Sequence, residues 1–166
     1  NTGLPQLALS DSGTITSNHW TFRNSSGQLY IATSSATSFA TSTVAQLTID
    51  GLTGDIGLGT TTPGARLVVN GDIATDGAIP TVSSCGTSPS ISVGSTDTAG
   101  TVTEGAIATG CVITFAVPKA NTPFCVAESD AGLAFSKTVS NTAITITNIG
   151  ALSSTGISYI CIDNQK

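Results

Sequence analysis

Four cysteines, Cys85, Cys111, Cys125 and Cys161, are the residues of this sequence best equipped for covalent chemistry. They lie far apart and form no C-x-x-C pair, the spacing that zinc sites and thiol oxidoreductases use. Two disulfides are the chemistry that remains, and they place the chain in an oxidising compartment. Four thiols permit three pairings; Cys85 with Cys111 and Cys125 with Cys161 is favoured, because each bond then ties separate predicted strands together. Groups able to turn over a substrate are few. The single histidine, His19, stands beside Trp20 in a strand-like run with no G-x-S-x-G elbow, so no Ser-His-acid arrangement is expected. Most of the carboxylates fall in turns, where Asp caps backbone amides. Glu128 and Asp130 are the one close pair that could face a groove, as a glycosidase with carboxylates about 5 to 10 Å apart requires. A solvated strand end is the simpler reading. Asp50, Asp55 and Asp72 are too dispersed for a calcium loop. No catalytic residue, metal or cofactor is assigned.

Composition sets what can hold these residues. Of 166 residues, 9% are charged and 5% aromatic, and Ser, Thr, Gly and Ala fill much of the remainder. With 39% hydrophobic residues and a net charge of -5, the chain falls outside the class of disordered tails and is expected to fold. Its length allows one ordinary domain, or a short elongated segment followed by a compact one. Arg23, Arg66, Lys119, Lys137 and Lys166 are scattered singly, which gives no basic stripe for nucleic acid. No apolar run reaches the roughly 18 residues needed to span a bilayer as a helix. The chain opens on Asn1 and contains no Met, the pattern of a mature or excised segment without its upstream signal.

All the cysteines follow residue 84, and a boundary is expected near Ile79 to Ser84, with residues 1–80 and 81–166 as two parts. In the first, β-rich runs recur at Leu4 to Leu9, Thr14 to Arg23, Gln28 to Thr33, Ala45 to Asp50 and Arg66 to Val69. Asp50-Gly51, Asn70-Gly71 and Asp76-Gly77 supply turns between or after them. Alternation in Gln28 to Ile31 and Gln46 to Ile49 marks strands buried on one face. Large side chains are too sparse here for a monomeric core, with Trp20, Phe22, Tyr30 and Phe39 spread among Ser, Thr and Gly. Identical copies are therefore expected to complete one another's interior. The Ala32 to Thr43 run has a linker's composition, but Phe39, Val44 and Leu47 are apolar anchors that a linker does not need. The second part shows the rhythm of a small β-sandwich or barrel. Its strands are expected at Ser90 to Val93, Gly100 to Thr103, Cys111 to Val117, Phe124 to Glu128, Ala134 to Val139, Ala143 to Ile149 and Ile157 to Ile162. Pro118 and Pro123 bracket one connection. Phe115 and Tyr159 fall in strands and read as core.

The segment Ile56-Gly57-Leu58-Gly59-Thr60-Thr61-Thr62-Pro63-Gly64-Ala65-Arg66-Leu67-Val68-Val69-Asn70-Gly71 closely resembles the GIGT-x-x-P-x-x-x-L-x-V-x-G repeat in stems of phage tail fibres and large bacterial surface fibres. Leu58 stands where Ile is usual. The resemblance extends back through Trp20 to Ile31 and Leu47 to Asp50, covering about residues 14 to 73. Cys85 onward is similar to terminal domains of fibre-like proteins of uncultured bacteria, for which no activity is defined. These likenesses imply an all-β homotrimer, an intertwined stem with a globular tip that contacts a surface. Gly57 and Gly59 allow close approaches and Pro63 fixes a turn before Leu67 to Val69. A phosphate-cradling loop is excluded, since neither G-K-[ST] nor a following helix is present. The expected function is that of a structural and adhesive subunit of an extracellular homo-oligomeric fibre, at a cell or virion surface. A cell-surface glycan or protein is the partner expected at the tip. The first alternative is end-to-end polymerisation, with Leu4, Leu7 and Leu9 on a strand donated to a neighbour. A tailspike-like depolymerase ranks third.

Overall fold

The computed structural model describes residues 6–9, 19–34, 45–152 and 154–163. Leu4, residues 14–18, Phe39 and Val44 lie outside the described residues. Every element among those described is a strand, and the chain divides into two compact units between Ile73 and Ala74.

The first unit is a six-stranded sheet in sequence order: β1 (Gln6–Leu9), β2 (His19–Ser25), β3 (Gln28–Ser34), β4 (Leu47–Asp50), β5 (Ile56–Leu58) and β6 (Leu67–Val69). Neighbours are antiparallel through β5, and β6 joins β5 in parallel. A two-residue turn joins β2 to β3, with Ser26 and Gly27 both at positive φ; that geometry matches the twist of the flanking strands. The turn after β4 is organised by Asp50, whose carboxylate accepts the amides of Leu52 (2.8 Å) and Thr53 (3.0 Å) and the Gln28 side-chain amide (3.0 Å). These bonds hold the Asp50 carboxyl below its ordinary value, the Thr53 amide most of all.

The second unit contains β7 (Thr81–Ser83), β8 (Ser90–Ile91), β9 (Ala99–Thr103), β10 (Ala108–Thr114), β11 (Phe124–Ser129), β12 (Phe135–Val139), β13 (Ala143–Leu152) and β14 (Gly156–Ile162). They form two four-stranded sheets, ordered β12-β13-β10-β7 and β11-β14-β9-β8. Alternate residues of both sheets meet in one core: Cys111, Ile113, Ile144 and Ile146 from the first, Val102, Cys125, Ile157, Tyr159 and Cys161 from the second. This is a β-sandwich. Each fully buried Ile or Val side chain contributes roughly 1.5 to 3 kcal/mol, which holds the two sheets together. Phe115 joins the core just past β10.

The disulfides are Cys85–Cys111 and Cys125–Cys161. The first ties the chain two residues past β7 to β10 and the second staples β11 to β14, where Cys125 faces Cys161 directly; all four cysteines are core residues. The pair fits an oxidising compartment. Among the described residues no helix is long and apolar enough to cross a membrane. Two short strands, β5 and β7, were not anticipated from the sequence, and the boundary between units falls a few residues ahead of the one read from composition.

Candidate functional site: an uncovered apolar sheet face

Residues directly opposite in register share a face of a sheet. Following the register from strand to strand in the first unit puts Leu7 beside Phe22 and Leu9 beside Trp20, then Phe22 beside Ile31. The row continues from Leu29 and Ile31 to Ile49 and Leu47, from those to Ile56 and Leu58, and ends at Leu67 and Val69. An apolar row therefore crosses one face of the sheet from edge to edge, with Asn24 beside Leu29 and Thr33 beside Trp20. The other carries Ala8, Thr21, Arg23, Tyr30, Ala32, Thr48 and Gly57 in the same registers, and the Arg23 guanidinium lies 5.1 Å from the Tyr30 ring centroid.

Burial reverses what chemistry demands. Thr21, Ala32 and Thr48 on the second face are fully buried, while Leu7, Leu9, Trp20, Leu29, Leu58 and Leu67 on the apolar face are 37–60% exposed. Those six side chains leave on the order of 500 Å² of apolar surface in water, at the upper end of what a soluble monomer carries. Trp20 stands in this face, and it is the chain's one tryptophan.

The glycine-rich motif builds the far edge of that face. Residues 59–66 carry the chain from β5 over to β6, which run side by side in the same direction. The crossing is pinned by Ile56 N to the Arg66 carbonyl (3.0 Å), Asn70 N to the Leu58 carbonyl (2.9 Å) and Gly59 N to the Gln46 carbonyl (3.1 Å). Asn70 also donates its side-chain amide to the Gly59 carbonyl (3.1 Å), and Arg66 pairs with Asp55 at 3.6 Å. A Cβ on Gly57 would stand 2.6 Å from the Thr60 carbonyl oxygen, and Gly59 sits at φ +70°. Both glycines are thus required by the chain's own fold before any partner is considered. Pro63 lies within the crossing, and Gly71 follows β6.

Of the strand proposed for donation, Leu7 and Leu9 lie on β1, the outer edge strand, paired with β2 of the same chain. His19 opens β2, buried on the small-residue face opposite Ser34. In the sandwich, Glu128 lines a shallow cleft of about 260 Å³ with Ser129, Leu133 and Phe135, whereas the Asp130 carboxylate accepts the Ser158 hydroxyl at 3.2 Å. Among the described residues no group of three or more His, Cys, Asp or Glu is placed to hold a metal ion.

Two features escaped sequence reasoning. On the outer face of the second sheet Phe124 opposes Ile162 and Val126 opposes Ile160, an apolar block that is 48–69% exposed; strand alternation hinted at it, since Ile160 and Ile162 flank an inward Cys161. Asp97, in the bend before β9, is the second. It is buried, accepts the amides of Ala116 (2.7 Å) and Val117 (2.9 Å), and has Lys119 4.0 Å away.

No family model matches the sequence, and no curated protein matches it at a significant level.

Proposed function

We propose that this chain is a structural and adhesive subunit of an extracellular fibre, assembled from identical copies through the apolar face of its first unit. The observation that carries the reading is the continuous apolar row from Leu7 to Val69, which no other element of the described residues covers. A second copy supplies the natural cover, because each brings the same face and about as much area as it needs hidden. Three copies, each with its sheet turned inward, close such faces around one axis; the likeness of residues 56 to 71 to fibre-stem repeats favours that number. The sandwich, with its own core and two disulfides, then serves as the tip. Its block of Phe124, Val126, Ile160 and Ile162 is the surface offered for attachment.

Trp20 makes the reading measurable. Light scattering on the purified chain is expected to give three times the monomer mass, and the Trp20 emission is expected to shift to the blue as concentration rises through assembly. Trp20→Glu should return the mass to one chain. A wild-type chain that stays single at every concentration, with Trp20 emission unchanged, defeats the proposal. The edge position of β1 favours a second reading, in which the Leu7 and Leu9 strand pairs with β2 of a neighbour and the product is a polymer of open length. Deletion of residues 1–9 separates the two: it dissolves a polymer and leaves a trimer associated.

A further inference from the structure

Three peptide bonds in this chain join an aspartate or asparagine to glycine: Asp50-Gly51, Asn70-Gly71 and Asp76-Gly77. All three are exposed to the same spontaneous chemistry, attack of the glycine nitrogen on the preceding side-chain carbonyl carbon. The fold treats them differently. Asp50 is held by the Leu52 and Thr53 amides and by Gln28, and the Gly51 nitrogen donates away from it to the Gly27 carbonyl at 3.0 Å. Asn70 is tied through its side-chain amide to the Gly59 carbonyl, within the crossing that anchors β6. Asp76 stands exposed outside any strand, and the Gly77 nitrogen donates to its Oδ1 at 2.9 Å. There the nucleophile is already against the group it attacks, which is the condition that accelerates an intramolecular reaction.

We infer that Asp76-Gly77 is a self-modification site, at which the folded chain converts aspartate to isoaspartate through a cyclic imide. The Gly77 nitrogen bonds to Asp76 Cγ, loses its proton, and one side-chain oxygen leaves as water from the protonated carboxyl. Water then adds back at either imide carbonyl. Opening at the side-chain carbonyl restores aspartate; opening at the main-chain carbonyl leaves the backbone running through Cβ, one carbon longer, with the carboxylate moved to the branch. No oxidant, enzyme or cofactor enters the balance. The change falls between β6 and β7, the stretch that joins the two units, and next to Thr75, whose hydroxyl bonds the Thr96 hydroxyl at 2.9 Å.

Ageing the full-length protein at neutral pH, then mapping isoaspartate by peptide mass spectrometry with electron-transfer fragmentation, tests this. In the urea-unfolded, reduced chain Asn70-Gly71 is expected to react first, since an amide is the better electrophile. In the folded protein the order should invert, with Asp76 ahead of both Asn70 and Asp50 by about tenfold, a barrier difference of about 1.4 kcal/mol. Gly77→Ala should suppress the reaction at Asp76 without disturbing the fold, because the added Cβ would meet nothing nearer than the Thr96 Cβ at 3.9 Å. The same order of reaction in folded and unfolded chains, or undiminished isoaspartate at Asp76 in Gly77→Ala, overturns the inference.

Discussion

Tyr159 shows how much one side chain of the sandwich is asked to do. Its ring is core, and its hydroxyl donates to the Thr96 carbonyl at 2.6 Å. Burial first, and the nearby negative charge of Asp97 second, push the phenol up to about 12 from its ordinary 10.0. The proton is therefore held more tightly in the folded state than in the unfolded one. Below pH 10 both states keep it and the contribution is whole; as pH rises from 10 towards 12 only the unfolded chain releases it, and stability falls. Urea titrations across that range should show the loss, and Tyr159→Phe should flatten it. At neutral pH the same substitution should cost about 1 kcal/mol for the missing hydrogen bond. Asp97 works from the same loop, receiving the Ala116 and Val117 amides, so Thr96 fastens the start of β9 to β14 and Asp97 fastens it to the chain beyond β10.

Strands were legible where side-chain alternation ran long enough to show. Val112 to Val117 and Thr142 to Thr147 give their inward faces directly, and β10 and β13 are found there. β5 and β7 are three residues each, one centred on Gly57 and the other with Val82 as its lone apolar residue, too short for a period of two to emerge. Parallel pairing of β5 with β6 was equally hidden, because such pairs ordinarily need a connection of a dozen or more residues, and here 59–66 suffice. The apolar face was half visible: each strand announced its own greasy side, but only the register shows those sides to be one surface. The disulfides could be paired from strand logic because Cys125 and Cys161 sit on neighbouring strands and Cys85 lies just past the strand beside that of Cys111. Replacing Cys85 and Cys111 together with alanine should cost roughly 3 to 4 kcal/mol for a loop of this length; the sequence separation is 26. Chemical denaturation of the variant, with Cys125–Cys161 intact, measures it.

The molecule as a whole is two unequal halves. The sandwich buries eleven core residues, four of them the disulfide cysteines, while among the described residues of the first unit the buried hydrophobic ones are Ala32 and Ala45. On the proposed assembly, stability of the first unit comes from association, and mass action then makes it depend on protein concentration. Thermal unfolding followed by Trp20 fluorescence should move to higher temperature as the protein is concentrated, whereas the transition of the sandwich, followed by near-ultraviolet dichroism, should stay in place without reductant and drop when it is added. Coincident transitions, both indifferent to concentration, would contradict that division. The short step from β5 to β6 has one more consequence. A hairpin sends the chain back where it came from, but this crossing leaves it heading onward, so a tandem duplication of the Ile56 to Gly71 block could lay down further rungs without reversing the chain. The reach of the proposed fibre would then be an inherited count of repeats, adjustable by recombination while the sandwich stays the same.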